Sequence, residues 1–377
     1  MALTPAADIR LDRVLGEGKF GIVFAGELRG APAALRQLHP YLLPPSRRRW
    51  EDDRWEQLGL TNALEDVVDP LSQCSHPSLA RLLALSIGPP LTIVTELCEE
   101  GSLGDWLRGV AEPAKRSGPG GAPLAPIERL DIAIGAASGL DYLHKMEVFH
   151  GDLKLSKIGL TRVNGALSAK VRDFGFAKVA VDFGDFSDHP PQQFYSLGYR
   201  APEAELPMVG TELPSVGTEV FAFGRILVEL LAGRRLSKYD YSVISSSMGA
   251  IGDMPPSAFL AANADGAWPL NVADALAKVA LSCIAPDSRS RPQNMGVVIA
   301  RLRAVRLLAA APQAVSRVPF SSLVLGGALG SGATGDVFAS TLHSVPVAVK
   351  RLKLAAVANA RSELSRRFRA EVDVLSK

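Results

Sequence analysis

The sequence predicts an α+β protein in which strands come first, helix follows, and a second strand-rich segment begins near the end. Three observations carry this. Apolar and other residues alternate through "GIVFAGEL" (21–28) and "APAALRQL" (31–38) around a short Arg29-Gly30 turn, the period of two expected of a hairpin. "MGVVIARLRAVRLLAAA" (295–311) instead spaces its apolar residues as a helix does. Finally, "VLGEGKFGIVFAG" (Val14 to Gly26) returns as "ALGSGATGDVFAS" (Ala328 to Ser340), and one offset of 314 residues carries Gly16, Gly18, Gly21 and Arg36 onto Gly330, Gly332, Gly335 and Lys350 without a gap. So long a period exceeds the roughly 20 to 50 residues of solenoid units, which makes this a domain written twice.

Composition narrows the function classes. With 41 basic against 39 acidic side chains the formal charge is +2, giving no general attraction to nucleic acid or anionic membrane, so any partner is recognised locally. A hydrophobic share of 47% in 377 residues is ample for buried cores. Cys74, Cys98 and Cys283 are odd in number and lack metal-ligand spacing, which points to three buried thiols. No opening segment has a signal-peptide core, and no apolar run reaches the roughly 18 residues of a membrane span. A soluble cytoplasmic protein is expected.

The first element is the hairpin headed by Gly16, Gly18 and Gly21. A GxGxxG alone also opens dinucleotide-binding units, but there a helix follows the glycines, and here strands do. Glycine lets a backbone turn with positive φ and approach phosphate oxygens with no Cβ in the way. The downstream elements carry the chemistry. "HGDLKLSKIGL" (150–160), "VRDFGFAK" (171–178), "YRAPE" (199–203), "EVFAFGRILVELLAG" (219–233) and "SRSRP" (288–292) follow in that order.

Together with the glycine hairpin, these motifs resemble the protein-kinase signature set, covering residues 8–308. "HGDLK" with Lys154 is more similar to the serine/threonine and tyrosine-kinase-like groups than to true tyrosine kinases. The resemblance implies two lobes, a small β-rich one to about Thr95 and a mainly helical one from about Gly101, with ATP between them. "LTIVTELCEEGSLGDWL" (91–107) then supplies a strand, a hinge and a helix, with Thr95 at the pocket's gate and Glu96 to Cys98 along its rim. "AEPAKRSGPGGAPLAP" (111–126) is too rich in Pro and Gly for helix and is expected as a loop, and residues 309–319 as a linker. The resemblance also assigns roles. Asp152 is the base that orients an acceptor hydroxyl, Lys154 neutralises the transferred phosphate, and Asp173 holds Mg2+. Gly16, Gly18, Gly21 and Val23 line the nucleotide.

Several positions depart from that pattern. Arg36 stands for the strand lysine that pairs with phosphates, a planar fork of donors in place of a compact ammonium. Val67 occupies the place of that lysine's helix glutamate, with Glu65 and Asp66 as neighbours. Lys157 stands where an asparagine oxygen ligates a second Mg2+; an ammonium cannot ligate a cation, though it can supply the ion's positive charge. Gly151 replaces an arginine that grips a phosphorylated loop, and Glu219 replaces an aspartate. Ser187, Tyr195 and Ser196 read as polar loop residues, "SRRRWEDDRWEQ" (46–57) as a solvated helix face, and Arg291 is available to pair with Glu203.

Residues 320–377 resemble only the start of another such domain. There Gly330, Gly332, Gly335, Val337, Lys350 and Glu371 match the nucleotide-binding half, and no catalytic loop follows. The resemblance implies a tandem protein whose altered first domain precedes an intact second one. Phosphoryl transfer to Ser/Thr of a protein substrate, a regulatory pseudokinase docked on a partner kinase domain, and a pure scaffold all remain open, and neither nucleic acid nor a membrane span is implied.

Overall fold

The computed structural model describes residues 4–18, 21–39, 70–86, 90–107, 124–175, 196, 198–204, 214–237, 264, 268–311, 323–331, 335–342 and 345–352. Two compact units result, Met1–Leu308 and Ala309–Lys377.

The first unit opens with strands β1 (Ile9–Gly18), β2 (Gly21–Leu28), β3 (Ala31–Leu38), β4 (Leu82–Ser86) and β5 (Thr92–Glu96), joined as one antiparallel sheet in the order β1-β2-β3-β5-β4. Alternation decides which face is buried: Ala33 and Leu35 of β3 meet Ala84 and Val94 in a core to which Ile9, Phe24 and Leu28 add partly buried surface. Gly21 is required where β2 begins. Its φ is +143°, and a Cβ there would sit 1.9 Å from the Gln37 carbonyl oxygen.

Helices follow: α1 (Leu103–Leu107), α2 (Pro126–Lys145), α3 (Val216–Ala232), α4 (Leu270–Cys283) and α5 (Met295–Ala310). Proline opens α2, where its missing N–H costs nothing, and the Glu128 carboxylate accepts a hydrogen bond from the Ala125 N–H at 2.8 Å. Ser215 caps α3 by accepting from the Thr218 N–H. Every residue from Glu219 to Leu231 is buried, so α3 is the central helix, apolar nearly all round. Its polar members are paired within: Glu229 accepts from the Tyr199 hydroxyl at 2.6 Å, and Arg225 donates to the Gly198 carbonyl. The two-lobed α+β architecture expected from the sequence is thus present. Cys74, Cys98 and Cys283 are buried single thiols.

A short hairpin, β6 (Ile158–Val163) and β7 (Ala166–Val171), ties the lobes together. Its Asn164-Gly165 turn has positive φ at both residues, the turn preferred for two-residue hairpins. Val171 bonds to Ser78 and Ala80 ahead of β4, and Leu160 bonds to Glu100 and Gly101 just after β5.

In the second unit β8 (Leu323–Ser331), β9 (Gly335–Leu342) and β10 (Val345–Leu352) form an antiparallel sheet in the order β10-β9-β8. β9 and β10 reproduce the bounds of β2 and β3 at the same offset of 314 residues. The irregularity between Val14 and Gly16 returns between Ala328 and Gly330, and Lys350 lies opposite Val337 as Arg36 lies opposite Val23.

Candidate active site

The β6–β7 hairpin explains how the two most informative stretches meet. Ile158 pairs with Val171, so the residues just before β6 and just after β7 leave its open end side by side. The Arg172 N–H donates to the Lys157 carbonyl at 2.9 Å, and the Arg172 guanidinium donates twice to the Ser156 carbonyl. With the backbones tied, Lys157 Nζ lies 2.6 Å from Asp173 Oδ2. From the small lobe, Arg36 of β3 reaches the same oxygen, its Nη2 also at 2.6 Å. The three side chains are 9% (Arg36), 10% (Lys157) and 12% (Asp173) exposed, so this is a buried cluster of two cations on one carboxylate oxygen. Asp173 itself holds a left-handed backbone, φ 61°, uncommon for a residue other than glycine.

The electrostatics follow from that geometry. Burial opposes ionisation of Asp173, but Arg36, Lys157 and Arg172 outweigh it and hold the carboxyl well below its ordinary value. Burial lowers the Lys157 ammonium, with Asp173 pulling the other way. His150 is wholly enclosed: it accepts from the Asp152 N–H at Nδ1, which leaves Nε2 to donate to the Arg172 carbonyl, and burial depresses its pKa.

Asp152 belongs to a second, adjoining cluster. Its Oδ2 is 2.8 Å from Lys154 Nζ, its Oδ1 accepts from the Ser196 N–H at 3.1 Å, and Lys154 also donates to Ser196 Oγ at 2.6 Å. Ser196, read from the sequence as a polar loop residue, therefore completes a closed triangle with the two expected catalytic groups. Nothing in its local sequence signals this, because the contact spans 44 residues. Behind the triangle, Glu219 accepts from the Gly151 N–H at 2.8 Å and from His144 Nε2 at 2.7 Å, which anchors the loop to α3. A cavity opens beside Asp152, lined by Leu153, Ser196, Tyr199, Ala201 and Thr218.

The remaining sequence-predicted residues fall around these clusters. Thr95 and Glu96 end β5, and Glu96 pairs with Lys170 at 2.9 Å. The Cys98 thiol packs against Gly159, where a Cβ would lie 2.3 Å from its sulfur, and burial pushes it up to about 11. Among the described residues, added Cβ atoms at Gly16, Gly18 and Gly330 would meet nothing within 4 Å. Arg291, fully buried, grips Glu203 with two bonds of 2.6 and 2.8 Å. Gly332, Glu371, Val67, Glu65, Asp66, Ser187, Tyr195 and residues 46–57 lie outside the described residues, as does the side chain of Lys350.

Two implied groups are judged by the donors present. The open glycine edge and the nearby cations suit an anionic phosphate chain. Magnesium is different: Asp173 Oδ2 is already shared by two cations, Lys157 offers donors only, and no group of three His, Cys, Asp or Glu suited to a metal occurs among the described residues. As arranged, this donor set does not fit a divalent ion.

A family model described as protein tyrosine and serine/threonine kinase matches residues 9–300. The probable serine/threonine-protein kinase PBL3 of Arabidopsis thaliana is 32% identical over 305 residues, covering 78% of this chain and 66% of that protein. Receptor-like cytoplasmic kinase 176 of Oryza sativa subsp. japonica is 30% identical over 309 residues, covering 79% and 73%. The probable serine/threonine-protein kinase PBL2 of Arabidopsis thaliana is 30% identical over 312 residues, and the chain again covers 66% of it, just under two thirds.

Proposed function

Because the chain belongs to the protein tyrosine and serine/threonine kinase family, we propose that residues 8–308 are a kinase domain that receives ATP between its lobes, is impaired in phosphoryl transfer, and acts chiefly as a regulatory partner. Residues 320–377 are, on the same reading, the start of a second kinase domain. The family generally uses ATP and Mg2+ to phosphorylate proteins. No helix among the described residues is long and apolar enough to cross a membrane, and a cytoplasmic setting is part of the proposal.

One observation carries the reading: Arg36 and Lys157 both hold Asp173 Oδ2 at 2.6 Å. Phosphoryl transfer leaves the protein little to do beyond positioning and charge stabilisation. Here the carboxylate that should steer a metal is neutralised from two sides, and the residue expected to ligate a second ion is itself a cation. The loss of such orienting charges costs about 10² to 10³ in rate for a single group.

A second reading, an active Ser/Thr kinase, is favoured by the Asp152–Lys154–Ser196 triangle. There Asp152 would accept the acceptor proton while Lys154 steadies the phosphate. The two readings part on transfer of labelled phosphate from ATP with Mg2+ to a protein substrate, compared between the wild type and Asp152→Ala. Impairment predicts no transfer that depends on Asp152. Turnover at about 1–100 s⁻¹, ordinary for kinases, and abolished in Asp152→Ala, would refute it.

A further inference from the structure

We infer that Lys157 and Arg36 form a permanent, metal-independent seat for the phosphate chain of a nucleoside triphosphate, in the place where a divalent cation would otherwise be held at Asp173. This rests on the reading above that the cleft receives nucleotide, and it specifies in which ionic form.

The geometry supports it from three sides. First, the cations are fixed, not adventitious. Lys157 is held by the backbone bond from Arg172 to its carbonyl at the open end of β6–β7, and Arg36 by its place in β3 between Val23 and Ile93. Both are nine-tenths buried, yet both converge on one oxygen. Second, the field at Asp173 is cationic: Arg36, Lys157 and Arg172 all act to hold its carboxyl ionised. A Mg2+ approaching Asp173 meets two like charges around the atom it needs, whereas an uncomplexed triphosphate meets charge of opposite sign. Third, donors remain. An ammonium has three N–H groups, and among the described residues the Lys157 Nζ bonds only Asp173. Among the described residues nothing crowds Gly16 or Gly18, which leaves the phosphates an approach along β1.

Binding is the readout, and the full chain is the sample. Titration calorimetry with ATP is run in EDTA and again in excess MgCl2, with adenosine as the phosphate-free probe. ATP is expected to bind in EDTA within about threefold of its affinity in Mg2+, and at least about tenfold tighter than adenosine, the value of a charge-assisted bond to phosphate. Lys157→Met should weaken ATP in EDTA by about tenfold or more. Lys157→Asn should do the same and recover affinity on adding Mg2+, since an amide oxygen can ligate a metal where an ammonium cannot. Melting curves of both variants establish that they are folded, and either one suffices if the other is not. Binding that requires Mg2+ overturns this inference alone and leaves the impaired-kinase reading standing. So does binding in EDTA that neither Lys157 variant weakens. Absence of ATP binding in both media overturns the inference together with the nucleotide part of that reading.

Discussion

Asp173→Asn separates a metal-binding carboxylate from the keystone of an ion cluster. The substitution keeps the side-chain shape and removes one negative charge. In a pocket built for a metal, deleting a ligand carboxylate leaves the metal-free protein no worse off. Here Asp173 Oδ2 lies 2.6 Å from both Arg36 Nη2 and Lys157 Nζ, all three side chains being about nine-tenths buried. At that separation and an effective dielectric near 20, each pair contributes a gross attraction of about 6 kcal/mol. That attraction offsets the desolvation of two cations. Removing the common partner takes this carboxylate from both buried cations, for which about 3–5 kcal/mol of lost stability is expected. In a unit of about 300 residues each kcal/mol moves Tm by about 2 °C, so the midpoint should fall by about 6–10 °C. Urea unfolding without nucleotide or metal measures the loss directly. Adding Lys157→Met to Asp173→Asn should recover part of it, because one stranded charge is then gone. A single variant within about 1 kcal/mol of wild type, or a double variant worse than the sum of its parts, would refute the cluster argument.

Three further outcomes follow from the same packing. Arg291→Met strips two bonds from Glu203 and donors from the carbonyls of Gly217, Ala285 and Pro286; equilibrium unfolding should register a loss of about 3–5 kcal/mol. Gly159→Ala drives a methyl to 2.3 Å from the Cys98 sulfur and should cost about 1–3 kcal/mol by the same assay. His150 is buried and its pKa lies below the ordinary 6.5, so between its folded and unfolded values the native state binds fewer protons than the unfolded chain. Stability is then retained above about pH 6.5 and falls as pH drops below it, and His150→Gln should flatten that part of a Tm-against-pH curve. Asp173, whose folded value is depressed, begins to lose its contribution as pH falls through the ordinary 3.8 and goes on losing it well below that.

Local chemistry made much of the fold legible. Alternation around Arg29-Gly30 marked β2 and β3, whose bounds, 21–28 and 31–38, coincide with the stretches singled out by pattern. The apolar spacing of residues 295–311 marked α5, and the Glu203–Arg291 pair was anticipated. What pattern did not disclose is long-range convergence. Arg36 and Asp173 are 137 residues apart, so sequence showed two odd residues, Arg36 and Lys157, without showing that they share one acceptor. Ser196 was invisible for the same reason: a serine in a loop carries no periodic or spacing signal, and only the fold brings its N–H to Asp152. Cys98 was placed on the pocket rim by its position after β5, but the direction of its thiol depended on Gly159, whose missing Cβ makes the space it fills.

The two unusual cations are better understood as one change than as two defects. Relative to the family pattern, Arg36 for lysine leaves the charge unaltered, Lys157 for asparagine adds one positive charge, and Val67 in the place of a glutamate removes one negative charge. On this alignment these three positions together gain two positive charges, while Gly151 in the place of an arginine removes one. Had Lys157 appeared in a cleft that still balanced its strand cation with a helix glutamate, Asp173 would have had to satisfy a newly buried ammonium while remaining open to a metal, and the desolvation cost would have been opposed by only a shared partner. Arg36 directs its Nη2 to Asp173. The ammonium and the guanidinium then settle together on the carboxylate that a metal would have occupied. Reversing only one member should accordingly fail: Lys157→Asn in the Arg36 background leaves Asp173 still held by the guanidinium, and restoring Mg2+-dependent phosphoryl transfer requires Arg36→Lys and Val67→Glu alongside it. Labelled-phosphate transfer by the triple variant that exceeds the product of the single-variant effects supports this coupling, and recovery of ordinary turnover by Lys157→Asn alone would sink it.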